Sequence, residues 1–209
     1  MEIVLGTEVF YLLPEKVVFR PLKNQLILSD IHLGKAAHFR KQGIPMPFQS
    51  HQKDIDKLCY LLNTWEPSSV LILGDLFHSN YNSEWLLFKS LLAKYPHVQF
   101  ILTEGNHDIL DNASYSIDNL LKVKVLSEDQ FLFSHHPLDT PDRINFCGHV
   151  HPGLLLTGMA KQSVKLPCFY FNSIHFILPA FGDLTGLHVL EQEANSDYYL
   201  IMKDQVVKL

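Results

Sequence analysis

Residues 25–32 read Gln-Leu-Ile-Leu-Ser-Asp-Ile-His (QLILSDIH). A short apolar run ends abruptly in a carboxylate and an imidazole spaced two apart. The run is too short for an amphipathic helix and suits a buried strand, with Asp30 and His32 on the loop that leaves it. The same pattern recurs along the chain. Residues 70–73 run into Gly74-Asp75, and 99–102 into Gly105-Asn106-His107-Asp108. Residues 131–134 lead to His135-His136, and 144–147 to Gly148-His149-Val150-His151. In open α/β sheets, sites gather outside the carboxyl ends of strands. The five polar clusters are therefore expected at one rim.

Helical patterns separate the early strands. Ile55, Leu58, Cys59 and Leu62 share one helical face, which Pro67 ends. Trp85, Phe88, Leu91, Leu92 and Tyr95 form the next, with Asn82 or Ser83 as N-cap and Pro96 at its end. Beyond about residue 120 short strands dominate, at 122–126, 131–134, 162–171, 176–178, 187–190 and 198–207. The fold class expected is α/β, with two packed mixed β-sheets flanked by helices, in one domain over residues 1–209. Residues 33–50, bearing Lys35, His38, Arg40 and Lys41, read as a long insertion suited to a lid or substrate loop.

Composition narrows the function. The chain is 47% hydrophobic and 19% charged, ordinary for a globular protein. Its apolar runs fall far short of the roughly 18 residues a membrane span needs. The opening MEIVLGTEVF has an acidic Glu2 and no basic region before its apolar residues, unlike a secretory signal. Cys59, Cys147 and Cys168 are odd in number and widely spaced, which argues against disulfides or a thiolate metal site and for buried free thiols. A cytoplasmic location is expected. The net charge of −5 argues against a broad basic surface for nucleic acid.

The clusters share one chemistry. Carboxylate, imidazole and amide oxygen bind borderline or hard divalent cations. The number of ligands fits two cations better than one. Two dications about 3.5–4 Å apart recur in phosphoester hydrolysis and repel by roughly 20 kcal/mol at an effective dielectric of about 20. Asp75, on a turn preceded by glycine, is the natural bridging carboxylate. Asp30 and Asp75 bring two negative charges against four positive, and a phosphate would balance the remainder. Taken singly, each of these residues is equally well a polar surface group; their order and strand-end placement are what set them apart.

The set D-x-H, G-D, G-N-H-D, H, G-H-x-H resembles the signature of the calcineurin-like metallophosphoesterase superfamily, with every element in order from Asp30 to His151. The resemblance implies one metal on Asp30, His32, Asp75 and His151, and a second on Asp75, Asn106, His135 and His149. It makes His107 the residue that touches phosphate and protonates the leaving group, with Asp108 orienting its ring. His135 is favoured over His136 as the ligand, leaving His136 behind the ligand or facing substrate. The metals expected are two divalent ions, Mn²⁺ first, with Fe²⁺, Zn²⁺ and Mg²⁺ as alternatives.

Residues 30–45 (DIHLGKAAHFRKQGIP), 73–78 (LGDLFH), 148–152 (GHVHP), 166–169 (LPCF) and 178–182 (LPAFG) are similar to a bacterial subfamily associated with a DNA ligase and a large helicase in the DNA damage response. The run Gly-Asp-Leu-Phe-His also resembles double-strand-break repair nucleases, which makes His78 a phosphate-orienting candidate; packing on Phe77 or Trp85 is the bland alternative. Lys35 and Arg40 are candidate phosphate contacts, or solvated loop residues. Three functions follow: a phosphodiesterase acting on DNA in repair, a small-nucleotide or cyclic-nucleotide phosphoesterase, and a non-catalytic scaffold of the same fold. The intact ligand set and His107 disfavour the scaffold. The 178–182 and 166–169 motifs look like sheet edges and turns, with an oligomer contact as an alternative.

Overall fold

The computed structural model describes residues 1–45, 52–78, 83–158 and 162–209. The first sheet takes its strands in chain order: β1 (Glu2–Leu5), β2 (Glu8–Leu13), β3 (Val17–Arg20), β4 (Gln25–Leu28), β5 (Ser69–Ile72), β6 (Gln99–Thr103) and β7 (Leu120–Val123). Strands β1 to β4 pair antiparallel, and β4 to β7 pair parallel. The parallel pairs need crossovers. Helix α2 (Gln52–Trp65) lies between β4 and β5, and α3 (Ser83–Lys94) between β5 and β6. Helix α1 (Lys35–Lys41) precedes α2 in the first crossover.

The second sheet collects β8 (Leu126–Glu128), β9 (Phe131–Phe133), β10 (Ile144–Cys147), β11 (Pro152–Thr157), β12 (Ser163–Phe171), β13 (His175–Ile177), β14 (His188–Val189), β15 (Asp197–Met202) and β16 (Gln205–Lys208). Its order is β14-β11-β12-β13-β10-β9-β8, with β15 on β12 and β16 on β15. Strand β10 is parallel to both β9 and β13.

Alternation along the strands decides the layers. Leu26, Leu28, Val70 and Ile72 face one way, into a core with Leu58, Leu61 and Leu62 of α2 and Trp85, Phe88 and Leu92 of α3. Ile27, Leu71 and Leu73 face the other way, into an aromatic core with Phe10, Phe131, Phe133, Phe146, Phe169 and Phe176. A smaller cluster, with Cys147, Leu154, Cys168, Tyr170, Tyr198 and Leu200, covers the far face of the second sheet. This is the two-sheet α/β sandwich, but α2 and α3 pack on the first sheet, so among the described residues the helices flank one side.

Some details differ from the sequence reading. The stretch at 122–126 is the junction of β7 and β8, and 198–207 is a hairpin of β15 and β16. The start of the 33–50 insertion is helical, as α1; Pro47 and the rest of that insertion from residue 46, along with Asn82, lie outside the described residues, as does the side chain of Ser83. Cys147 and Cys168 are buried, whereas Cys59 is half-buried, because α2 turns it toward the edge of the core. No described helix is long and apolar enough to cross a membrane.

Candidate metal centre

The loops leaving β4 and β5 continue the sheet's pairing beyond the strands. Asp30 N–H donates to the Gly74 carbonyl (3.2 Å), His32 N–H to Asp75 (2.9 Å) and Leu33 N–H to Leu76 (2.9 Å). This extended ladder carries Asp30, His32 and Asp75 to one rim. The turn after β6 brings Asn106 and His107 alongside, where His107 N–H donates to Asp75 Oδ1 at 2.9 Å. The loops after β9 and β10 supply the histidines from the second sheet. His149 N–H donates to Asp30 Oδ2 at 3.0 Å, tying the two sheets at the site.

The side chains converge. His151 Nε2 is 3.2 Å from Asp30 Oδ1, and His135 Nε2 is 3.5 Å from Asp75 Oδ1. His32 Nε2 lies 3.7 Å from Asp75 Oδ2 and 4.0 Å from Asp30 Oδ1. Groups with candidate ligand atoms within 4.8 Å of one another are Asp30-His32-His151, Asp30-Asp75-His135, His135-His136-His149 and His32-His78-His107. The close approach depends on glycine. A Cβ on Gly148 would come within 2.4 Å of Asp30 Oδ2, and one on Gly105 within 2.3 Å of the Asp75 nitrogen.

A donor set like this either pairs with itself or awaits a cation. Asp30 Oδ1, both ring nitrogens of His32 and His151 Nε2 are buried without a hydrogen-bond partner. Buried polar atoms are almost always satisfied, and each one left unmade costs about 1–3 kcal/mol. One such atom each from Asp30, His32 and His151, all within 4.8 Å of one another, fit a divalent cation. Three of the imidazoles, His32, His149 and His136, are shifted toward the neutral form that ligation requires. Burial, with further contributions from Lys35, His151 and His107, pushes His32 down to about 3. Burial and the adjacent imidazoles push His149 and His136 down as well.

His135 and His136 differ sharply. His135 is buried, and its Nδ1 lies 3.0 Å from the Leu73 carbonyl. A carbonyl can only accept, so Nδ1 carries the proton and the Nε2 lone pair faces Asp75 and His149 Nδ1, 3.2 Å away. His136 is exposed, with Nε2 2.6 Å from Asn106 Oδ1. This contact uses one lone pair of the Asn106 amide oxygen and leaves a second for a cation.

Around this set, the His78 ring stacks on His107 at 5.3 Å and meets His32 edge-on at 5.6 Å. Lys35, at the start of α1, is pushed down by burial but drawn up by the charges of Asp30 and Asp75. Arg40 lies half-buried further along α1. Asp108, expected to orient the His107 ring, is held by backbone N–H groups. Its Oδ2 accepts from Gly105 N–H (3.0 Å) and its Oδ1 from Leu76 N–H (3.0 Å). The carboxylate thus ties two ligand loops together through their backbones. Burial pushes it up to about 6.

Two features had escaped the sequence reading. Lys122 Nζ grips the Asp108 carbonyl at 3.1 Å from the neighbouring strand, and nothing in the sequence marks it. Asp30, His32, Asp75, His149 and His151 all have positive φ, between 49° and 66°. That region is sparsely occupied by residues other than glycine, and such backbones collect at functional sites. The residue types carried a faint signal, since Asp and His are enriched there.

A model of the calcineurin-like phosphoesterase matches residues 24–156, more than half of the chain and the whole span of the converging residues. No curated protein matches the sequence. The crystal structure of Pseudomonas putida nuclease MPE is similar, with TM-score 0.82 and 25% identity, covering 100% of this chain and 99% of that one. Yfce, a phosphoesterase from E. coli, aligns at TM-score 0.43 and 11% identity over 88% of this chain and 97% of its own. By fold, converging residues and family match, the chain belongs to the calcineurin-like phosphoesterase family and is a metal-dependent phosphoesterase.

Proposed function

We propose that the chain, as one domain over residues 1–209, is a two-metal phosphodiesterase that cleaves DNA. The observation that carries this is the set of buried, partnerless ligand atoms on Asp30, His32 and His151 beside the Asp75-His135-His149 group. Asp30, His32, Asp75 and His151 would hold one cation, and Asp75, Asn106, His135 and His149 the other. Mn²⁺ is the expected ion; two such cations, when bound, supply Lewis acidity toward phosphoryl oxygen and water.

The chain's own groups do the rest. Asp75 joins the two ligand groups. His107, whose side chain is 43% exposed with Nε2 4.0 Å from Asp75 Oδ2, faces the substrate and gives a proton to the departing sugar oxygen. His78, stacked on it, orients the phosphate, and Lys35 and Arg40 lie on the helix that follows the first ligand loop. The choice of a nucleic-acid diester draws support from the nuclease neighbour, which aligns over the full chain; the choice of DNA rests on the sequence resemblance. Association with a ligase or helicase rests on the sequence resemblance alone.

The net charge of −5 favours a second reading, a small-nucleotide phosphoesterase. A panel of p-nitrophenyl monoester and diester, cyclic nucleotides, and single-stranded and duplex DNA, with Mn²⁺ and with chelator, separates them. Cleavage of DNA with Mn²⁺ supports the nuclease. Turnover of model diesters with every DNA left intact moves the reading to a small nucleotide, and a preference for monoesters ends the diesterase reading.

A further inference from the structure

The 178–182 motif, Leu-Pro-Ala-Phe-Gly, lies beyond the residues that the family model matches. It is a strap between the two sheets at the site. Leu178 N–H donates to the Cys147 carbonyl at 2.8 Å, one residue before the Gly148-His149 loop. Phe181 N–H donates to Ser29 (2.8 Å) and Gly182 N–H to Asp30 (3.1 Å). The strap also lies hard against the first ligand loop, since a Cβ on Gly182 would meet the Ile31 carbonyl oxygen at 2.3 Å. It therefore grips the Asp30 loop from one side while Gly74 and Asp75 hold it from the other. The positive φ of Asp30 and His32 persists because both sides fix it.

Helix α2 locks the strap. Lys57 Nζ donates to the Phe181 carbonyl at 2.7 Å and sits 3.9 Å from the centroid of the Phe181 ring. The same ammonium is 3.1 Å from Asp183 Oδ1 and 3.6 Å from Asp54 Oδ1. Asp54 in turn accepts Asp183 N–H at 3.2 Å. Lys16 reaches Asp183 Oδ1 from the other side at 3.4 Å.

We propose that the 178–182 strap, locked by Lys57, sets the spacing between the loop bearing Asp30 and His32 and the loop bearing His149 and His151. Lys57 is then a positioning residue that touches neither metal nor substrate. This rests on the metal centre proposed above, and not on the nature of the substrate. A ligand set held a few tenths of an ångström off loses affinity, and losing an outer partner of a metal ligand typically costs about 10–100-fold.

The test is Mn²⁺ binding to metal-free full-length protein, by calorimetry and by electron paramagnetic resonance, beside thermal unfolding. Lys57→Met keeps the stem over Phe181 and removes the ammonium; its Mn²⁺ affinity should fall about tenfold. Lys57→Arg should recover most of the loss. Asp183→Ala, at an exposed side chain, should remain folded and weaken Mn²⁺ by a smaller factor in the same direction. Variants that unfold at lower temperature yet bind Mn²⁺ as tightly as wild type would make Lys57 purely structural and overturn the proposal. A wild-type chain that takes up no Mn²⁺ would instead bring down the metal centre itself.

Discussion

Asp75 Oδ1 accepts the backbone N–H of His107 at 2.9 Å. The acid at the centre of the ligand set thus also fixes the loop that presents the exposed imidazole, and ligand geometry and substrate-facing geometry are mechanically one. Asparagine keeps an oxygen for that hydrogen bond but loses the charge. Asp75→Asn should therefore remain folded by circular dichroism. Its Mn²⁺ affinity should fall by more than the roughly 100-fold upper range for an outer-partner loss, with turnover abolished. Normal turnover at saturating Mn²⁺ would remove Asp75 from the bridge.

His107 and Asp108 should separate by phenotype. His107→Ala is expected to bind metal normally and lose about 10²–10⁴-fold in turnover. Asp108→Ala strands the N–H groups of Gly105 and Leu76, so it should also lower stability, by about 1–3 kcal/mol for each one left unpaired. Urea unfolding of both variants checks this. Equal stabilities would mean that Asp108 serves the His107 ring after all.

The neighbouring histidines give a second contrast. His135→Ala should lose Mn²⁺ binding, because its Nε2 faces the acids and its Nδ1 is pinned on Leu73. His136→Ala should retain both ions and weaken the one held by Asn106, by about 10-fold. The reverse order in a calorimetric titration would exchange their roles.

Far from the rim, Arg20 of β3 is fully buried. Its Nε is 2.6 Å from Glu8 of β2 and its Nη1 2.6 Å from Glu128 of β8. This pairing staples one sheet to the other. Breaking a buried ion pair strands the remaining charge, and Arg20→Met should lose about 3 kcal/mol in urea unfolding, the low end of the usual range, since Glu128 keeps 23% of its side-chain exposure. Mn²⁺ affinity of the folded variant should match wild type. A variant as stable as the parent would show that the sheets dock without the staple.

The strands that feed the site were readable because each is a short apolar run cut off by ligand-type residues, and Leu26, Ile27 and Leu28 show why the runs are continuous: both faces of the first sheet are covered. The antiparallel β1 to β3 escaped notice. Glu8, Tyr11 and Arg20 interrupt their pattern, and only the fold explains a buried arginine there. That the polar clusters meet at one rim could be read from their order and strand-end placement. The supports could not: Lys57, Lys122 and the strap act through backbone carbonyls, and any residue type has a carbonyl.

The order of the strands has a consequence for synthesis. The first sheet is laid down in sequence and is complete by Val123, whereas every strand of the second begins at Leu126 or later. A growing chain that has just finished the first sheet carries Asp30, His32, Asp75 and Asn106 but not the candidate ligands His135, His149 and His151. Domains fold as the chain emerges, amino-terminal parts first. The nascent protein is therefore a half-lined cup, and a cation captured early would be held loosely until β9 and β10 close over it.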